Sequence, residues 1–461
     1  MRYLPNSPAD RKAMLDATGT ARAEDLFAQI PEELRLKGKL SLPGPLSEAE
    51  ILDFFRQAAR DSSRDYVSFL GAGVYTHYRP VVIDTLLSRG EFLTAYTPYQ
   101  AEISQGILQA LFEFQTLIAQ LTGMEVANAS LYDGSTATNE AVLMAMRLTR
   151  RERVVLARTV HPEYREVVRT YSQNLGVEVV EAPHLPAGQV DLAWLENEVN
   201  DQTAAVAIQS PNFFGVAERA EEIAGIAHQA GALLIVTIPE PLSLAVMKPP
   251  DSADIVCGEA QSFGVPVAFG GPHAGFMATR EKFVRQMPGR LVGQTKDTEG
   301  RRGFVLTLVT REQFIRREKA TSNICTSQSL CALAATIYLC LLGKEGLRKL
   351  AEHNLSKAHY AASRLQSVPD VALPFTAPFF NEFVVRTTAP AAGLIKALRE
   401  EKIIGGVELS QYYPELENHL LVCVTECIHR EAIDRMAAIY HQFASSEAPE
   451  AQVSPVTPVS A

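Results

Sequence analysis

A short polar segment, residues 133–136, has the residue types and the position to bind a small anion. Its sequence, Asp133-Gly134-Ser135-Thr136, stands directly before a segment rich in helix-forming residues. The first backbone amides of a helix lack partners within the helix, so with hydroxyls beside them they form a ready anion site. Ser and Thr also cap helices that bind nothing, and the sequence leaves these two interpretations equally open.

Two further segments concentrate polar side chains in predicted loops. TAYTPYQAE, residues 94–102, carries Tyr96, Tyr99 and Gln100 around a proline. ATSNICTSQ, residues 320–328, follows a basic stretch and carries hydroxyl and amide side chains. Such loops are candidates for a binding site, although packing at the surface explains clusters of this kind at least as often.

Composition limits the classes to which the protein can belong. Its 461 residues, 47% of them hydrophobic, suit a globular chain of two or three domains. A net charge of -10 disfavours nucleic acid as a partner. The apolar runs at 204–208 and 232–238 are short of the ~20 residues that span a bilayer, and no leader is visible, so we expect neither membrane insertion nor secretion. The six cysteines form no CxxC pair, so we expect free thiols, no metal site and a cytoplasmic location.

The order of elements that must position these segments predicts an α/β fold. From residue 128 onwards, strand and helix patterns alternate, and the strands are nearly continuous apolar runs. This pattern indicates a mostly parallel sheet with helices on both faces. The predicted regions are a helical N-terminal arm (1–65), a large domain (66–329), a smaller C-terminal α/β domain (330–445) and a disordered tail rich in proline and serine (446–461).

Five segments together resemble the glycine cleavage system P-protein family, in the form in which the enzyme is divided between two chains. In chain order they are YLPNSPADRKAML, TAYTPYQAEISQG, NASLYDGSTATNEA, GGPHAGFMA and REKATSNICTSQ. The resemblance covers nearly the whole chain and points to the N-terminal half of the enzyme, the alpha chain or subunit 1. It implies a fold like that of the fold-type I pyridoxal phosphate (PLP) transferases.

The resemblance also places two parts of a PLP site on this sequence. These are the loop that binds the cofactor's phosphate and the residue that stacks on its pyridine ring. The matching positions are Gly134, Ser135, Thr136 and His161.

Two other parts of the family's site are missing. The lysine that binds PLP lies nine residues before the Gly270-Gly271 pair, where this chain has Gln261. The carboxylate that holds the pyridine nitrogen would lie where this chain has Thr237. A neutral amide cannot form an imine with an aldehyde, and a hydroxyl cannot hold the ring proton that makes PLP an electron sink. The resemblance therefore implies a degenerate site with no catalytic residue in this chain.

The implied enzyme is glycine dehydrogenase (aminomethyl-transferring), in which this chain alone is inactive. Subunit 2, the lysine-bearing beta chain, would bind PLP covalently, in a heterotetramer of two chains of each kind. The complex would decarboxylate glycine and pass the aminomethyl group to the lipoyl arm of H-protein. Since fold-type I sites lie at subunit interfaces, the 94–102 and 320–328 loops are expected to reach the partner's cofactor. The candidate residues are Tyr96, Tyr99 and Gln100 near the substrate, and Thr321, Ser322, Asn323 and Thr326 near the phosphate.

Other interpretations stay open at this point. The chain could be an independent PLP-dependent aminotransferase or decarboxylase that uses Lys296 or Lys319, or a binding scaffold without catalysis. The basic residues between 301 and 317 could steer H-protein, or they could be a solvated face or subunit contacts. These residues are Arg301, Arg302, Arg311, Arg316 and Arg317.

Overall fold

A computed structural model of the chain describes residues 5–62, 65–268 and 270–447. The chain divides into two compact units, Met1–Arg64 and Asp65–Ala461. The predicted tail, 446–461, lies outside the described residues apart from its first two positions, which belong to the last helix.

Over residues 5–62, the first unit contains two α-helices, α1 (Pro8–Thr18) and α2 (Glu48–Asp61), and two short 3-10 helices, Ala23–Phe27 and Glu32–Leu34. Capping boxes start both α-helices, and the one formed by Ser47 with Glu50 was predicted from the sequence. Neither α-helix buries a side chain. None of residues 5–62 is buried, so the described part of this unit has no apolar core of its own.

The second unit holds the remaining helices. The α-helices are α3 (Val81–Leu87), α4 (Gly90–Leu93), α5 (Gln105–Thr122), α6 (Gly134–Thr149), α7 (Pro162–Ser172), α8 (Leu192–Glu198), α9 (Ala220–Gln229), α10 (Gln313–Arg316), α11 (Ser329–Gln366), α12 (Ala391–Glu400) and α13 (Arg430–Glu447). The 3-10 helices are Ala101–Ile103, Pro241–Ala245, Glu281–Gln286, Val309–Arg311, Arg317–Lys319 and Leu409–Gln411.

The strands that the structure describes in the second unit form four sheets. In chain order they are β1 (Val67–Ser68), β2 (Val126–Ala127), β3 (Arg153–Ala157), β4 (Glu178–Ala182), β5 (Thr203–Gln209), β6 (Leu233–Ile238), β7 (Ile255–Glu259), β8 (Gly275–Thr279), β9 (Leu291–Lys296), β10 (Arg302–Thr307), β11 (Val371–Ala372), β12 (Glu382–Thr387), β13 (Ile403–Ile404), β14 (Val407–Glu408) and β15 (His419–Cys423). β9 and β10 make an antiparallel pair, and β1 pairs in parallel with β13.

The central sheet has seven strands in the order β2-β8-β7-β6-β5-β3-β4. The run from β7 to β4 is parallel, while β8 and β2 are antiparallel at one edge. Every residue of β5 is buried, as expected for a central strand covered on both faces. The predicted α/β class with a mostly parallel sheet is confirmed.

A second sheet of four antiparallel strands, in the order β11-β12-β15-β14, lies in the C-terminal part of the chain. One side of this sheet packs on the second half of α11 and on α12 and α13, through a core separate from that of the central sheet. The domain boundaries at residues 66 and 330 stay predictions.

Helix α11 is the one helix among the described residues that is long and apolar enough to cross a membrane, by length and composition alone. Its backbone leaves the helical conformation at Gly343, where φ is 57°. The apolar half before this break packs on α5 and buries Leu333, Tyr338 and Leu339. A core helix meets the same test, so the finding is weak evidence for a membrane span.

All six cysteines are free thiols, and three of them, Cys257, Cys331 and Cys423, are buried. Within the described part of the chain, no group of three or more His, Cys, Asp or Glu side chains is placed to hold a metal ion.

The two sheets are joined by a buried histidine between two carboxylates. His77 Nε2 lies 2.9 Å from Glu240, just after β6, and His77 Nδ1 lies 2.8 Å from Glu426, just after β15. Burial alone lowers the pKa of His77, but Glu240 and Glu426 together outweigh it and raise that pKa to about 10. The imidazolium therefore stays charged at neutral pH and holds two carboxylates that would otherwise repel each other.

We predict that His77→Ala lowers the free energy of unfolding by about 3 kcal/mol, since it leaves two buried carboxylates without a counter-charge. Because the folded-state pKa of His77 lies above its ordinary value of 6.5, the stabilisation is complete below pH 6.5 and is lost as the pH rises towards 10. Urea unfolding followed between pH 6 and 10 measures both effects. His353→Ala, at an exposed position of α11, is the control. Equal stability and equal pH slopes for the two variants would contradict the prediction.

Candidate functional site

A cavity of about 470 Å³ opens at the carboxyl end of the parallel strands, beside the start of α6. Its lining includes Asp133, Ser135, His161, Glu259 and Gln328. Ligands of open α/β sheets bind at this end of the strands. The structure thus brings three predicted positions, the 133–136 segment, His161 and the end of the 320–328 loop, to one cavity.

The amides of the 133–136 segment already have partners within the chain. Asp133 is the N-cap of α6, and its Oδ1 accepts hydrogen bonds from the amides of Ser135 (2.7 Å) and Thr136 (2.9 Å). The amide of Gly134 donates to the carboxylate of Glu259 at 3.0 Å. Of the two interpretations that the sequence left open, the geometry favours helix capping.

His161 is held as a neutral ring at the start of α7. Its Nδ1 accepts from the amide of Glu163 at 3.2 Å, and its Nε2 donates to the carbonyl of Ala72 at 2.8 Å. Burial lowers the pKa of His161, in agreement with this tautomer. The ring stacks on Tyr164, with 4.8 Å between centroids. His161 lines the cavity, as its predicted role requires, but one face already carries an aromatic partner.

Gln261 is buried, and its side chain is used as a structural support. Its carbonyl accepts from the amide of Tyr75 at 3.0 Å, and its Nε2 donates to the carbonyl of Val265 at 2.7 Å. The Tyr75 hydroxyl in turn donates to Glu382 of the second sheet at 2.7 Å. Gln261 thus connects the loop after β7 to the second sheet, and its place at the lysine position stays a prediction.

Thr237 lies inside β6, fully buried, with its hydroxyl 3.2 Å from that of Thr138 on α6. The carboxylate at the carboxyl end of β6 is that of Glu240, two residues beyond the strand, and it is hydrogen-bonded to His77. Sequence reasoning missed Glu240 because Pro239 and Pro241 mark a turn. A glutamate between two prolines directly after a buried strand was the available signal.

The 94–102 and 320–328 loops meet at the surface. The hydroxyls of Thr97 and Thr326 are 2.8 Å apart. Tyr96 and Tyr99 are 73% and 56% exposed. Of the other predicted interface residues, Gln100 and Asn323 are exposed, while Thr321, Ser322 and Thr326 are half-buried.

Arg290 holds these two loops together, a role that no local pattern in the sequence indicates. Its guanidinium donates to the carbonyl of Cys325 at 2.6 Å and to the Tyr99 hydroxyl at 3.4 Å. It also lies over the Tyr99 ring, 5.1 Å from the centroid. Arg290 is only 2% exposed, so this contact is an internal support of both loops.

The amide of Cys325 donates to the Tyr132 hydroxyl, and the amide of Gln328 donates to the Ser130 hydroxyl, both at 2.8 Å. These bonds fix the 320–328 loop beside the segment that leads into α6. The segment that leads into α6 therefore supports both the 320–328 loop and the cavity.

One of the interpretations left open for the basic segment, a solvated face, does not hold for Arg311. Arg311 is not on a solvated face, because it is buried and donates to the carbonyls of Met287 and Gly289. Arg301 is exposed and is paired with Asp297. Only part of this basic segment can meet a partner.

The profile of the glycine cleavage system P-protein family matches residues 1–440. A probable glycine dehydrogenase (decarboxylating) subunit 1 of Koribacter versatilis is 57% identical over 438 residues, which are 95% of this chain and 99% of that protein. The crystal structure of a glycine decarboxylase (P-protein) of the glycine cleavage system, in inhibitor-bound form, is 45% identical. It superposes with a TM-score of 0.85 and covers 96% of this chain and 100% of its own.

A more distant similarity bears on the fold alone. The sphingosine-1-phosphate lyase of Burkholderia pseudomallei is 17% identical, with a TM-score of 0.66 over 90% of this chain and 94% of that one. The predicted fold-type I transferase-like fold is confirmed.

We predict that Arg290→Ala loosens both surface loops. The substitution removes the hydrogen bond to Cys325 and the contact with the Tyr99 ring, so the amides of 94–102 and 320–328 should exchange with solvent about tenfold faster. Hydrogen–deuterium exchange read by mass spectrometry measures this in the full chain. Arg285→Ala, an exposed arginine nearby, is the control and should leave both loops unchanged. Unaltered exchange in Arg290→Ala would show that the loops are held by other contacts.

Proposed function

Because this chain belongs to the glycine cleavage system P-protein family, we propose that it is subunit 1 of a glycine dehydrogenase divided between two chains. With subunit 2 it decarboxylates glycine and passes the aminomethyl group to the lipoyl arm of H-protein. The observation that carries this proposal is the 57% identity to a probable subunit 1 along nearly the whole of both chains.

The residues of this chain do not fit a PLP site of their own. Among the described residues that line the cavity there is no lysine, and the amides at the start of α6 are used by Asp133 and Glu259. Lys296 and Lys319, the lysines of the alternative interpretation, are exposed and do not belong to this lining. This geometry supports a division of labour in which subunit 2 binds the cofactor. PLP, when bound there, supplies the electron sink for decarboxylation.

This chain would contribute shape and polar contacts to the partner's site. The 94–102 and 320–328 loops present exposed hydroxyl and amide groups from a support made by Arg290 and the Thr97–Thr326 contact. Polar groups on loops that a rigid scaffold holds in place can orient a substrate at low entropic cost. In this proposal Tyr96, Tyr99 and Gln100 face glycine, and the second loop faces the phosphate.

Exposed apolar side chains support the presence of a partner chain. Val81 on α3 is 74% exposed, Ile103 beside the 94–102 loop is 80% exposed, and Leu34 in the first unit is 74% exposed. Phe54 and Phe55 on α2 lie in contact with each other and are 62% and 64% exposed, and neighbouring apolar side chains so open to water are typical of a surface that a partner covers. A heterotetramer and a cytoplasmic location stay predictions.

We predict that this chain by itself forms no imine with PLP. The purified chain is incubated with PLP, reduced with borohydride and digested, and the peptides are searched for pyridoxyl-lysine by mass spectrometry. A matched sample with subunit 2 should carry one modified lysine, located in subunit 2. A stoichiometric adduct at Lys296 or Lys319 would instead support an independent PLP enzyme.

We predict that glycine–bicarbonate carboxyl exchange requires both chains and that Asn323→Ala lowers it about tenfold or more, since an amide that orients bound groups is lost. Exchange is measured on the co-purified complex, with the subunit ratio determined in the same sample. Asn197→Ala, an exposed asparagine on α8, is the control. A stable complex without exchange would favour a binding scaffold, and full activity of Asn323→Ala would remove the second loop from the site.

A further inference from the structure

The cavity beside α6 contains a buried carboxylate placed where an anionic ligand would bind. Glu259 ends β7 and is 2% exposed. Its Oε2 accepts from the amide of Gly134 at 3.0 Å, and its Oε1 accepts from the amides of Gln261 and Ala274, both at 2.9 Å. Three backbone N–H groups from three segments thus converge on one side chain.

A histidine adds a fourth contact to this carboxylate. His273, in the turn before β8, has its Nδ1 3.5 Å from Glu259 Oε2. The hydrogen bond to Glu259 raises the pKa of His273, so its positive form is favoured beside the carboxylate. A cluster of amides next to a histidine is a typical anion-binding arrangement, and here the anion is part of the chain.

The remaining amides at the start of α6 are also used. Asp133 Oδ1 accepts from Ser135 and Thr136, as described above, and also from the Ser135 hydroxyl. A free phosphate at this helix start would therefore find no unpaired amide among Gly134, Ser135 and Thr136. It would also lie against two carboxylates, and like charges at this distance repel.

We propose that Glu259 is a built-in replacement for the phosphate of a cofactor. By placing its own carboxylate on the amide cluster, this chain makes its cavity reject anions and leaves PLP to the site of the partner subunit. The part that concerns the partner rests on the proposed function. The anion exclusion is a property of this chain alone.

The test is a phosphate titration of the full chain without a partner, so that its outcome is independent of the proposed enzyme activity. Inorganic phosphate is the probe, potassium chloride at equal ionic strength is the reference, and the melting temperature is the readout, because a ligand that binds only the folded state raises it. The wild type should show no saturable rise. Glu259→Ala, which frees the three amides and removes a charge, should show a saturable rise and bind phosphate at least about tenfold more tightly.

Glu163→Ala is the matched control, because Glu163 lines the same cavity without accepting a hydrogen bond from the amides of Gly134, Ser135 or Thr136 in the described contacts. Saturable phosphate binding by the wild type, or an equal gain in Glu163→Ala, would overturn the proposal. If Glu259→Ala does not fold, Glu259→Gln decides, since it keeps an acceptor for Gln261 and Ala274 while it removes the charge. A smaller but saturable gain in Glu259→Gln supports the proposal, and no gain in a folded Glu259→Gln overturns it.

Discussion

The cavity beside α6 depends on one constraint: every buried amide at the carboxyl end of the parallel strands must have an acceptor. Glu259 meets it for three segments at once: the start of α6, the turn after β7 and the strand that returns as β8. An unpaired buried N–H group costs about 1–3 kcal/mol, so a single carboxylate that serves three of them fixes the relative positions of these segments. The cavity keeps the outline of a ligand site because a side chain performs the ligand's structural role.

The same requirement for a partner applies to a second buried carboxylate at this end of the strands. Glu240 follows β6 and is bound to His77, which also binds Glu426 from the second sheet. Gln261 connects through Tyr75 to Glu382 of that sheet. Groups that stand at the strand ends, where an active site of this fold would use them, are here engaged in holding the two sheets together. This chain can therefore be rigid without a cofactor, and rigidity is what a subunit that supports a neighbour's site requires.

Local features were predictable from the sequence, and features that depend on distant residues were not. The continuous apolar run of β5, the cap at Ser47 and the polar start of α6 each have a signal within a few residues. The bond between Glu259 and Gly134 joins residues 125 positions apart, and that between Arg290 and Cys325 joins residues 35 positions apart. Spacing alone cannot show which side chain completes an amide cluster that lies elsewhere in the chain. For this reason the sequence left an anion site and ordinary capping equally open at α6, while in the structure the carboxylates of Glu259 and Asp133 accept from these amides.

These contacts are compatible with the division of one enzyme into two chains. A site at an interface needs one chain that binds the cofactor and another that supplies a fixed surface opposite to it. Arg290 and the Thr97–Thr326 contact fix the surface loops, while Tyr132 and Ser130 connect the second loop to the segment that enters α6. A bound cofactor in this chain would have to displace Glu259 and would thereby disturb the segment on which the 320–328 loop rests. The self-contained hydrogen bonding of the cavity and the placement of the surface loops are therefore two results of the same network.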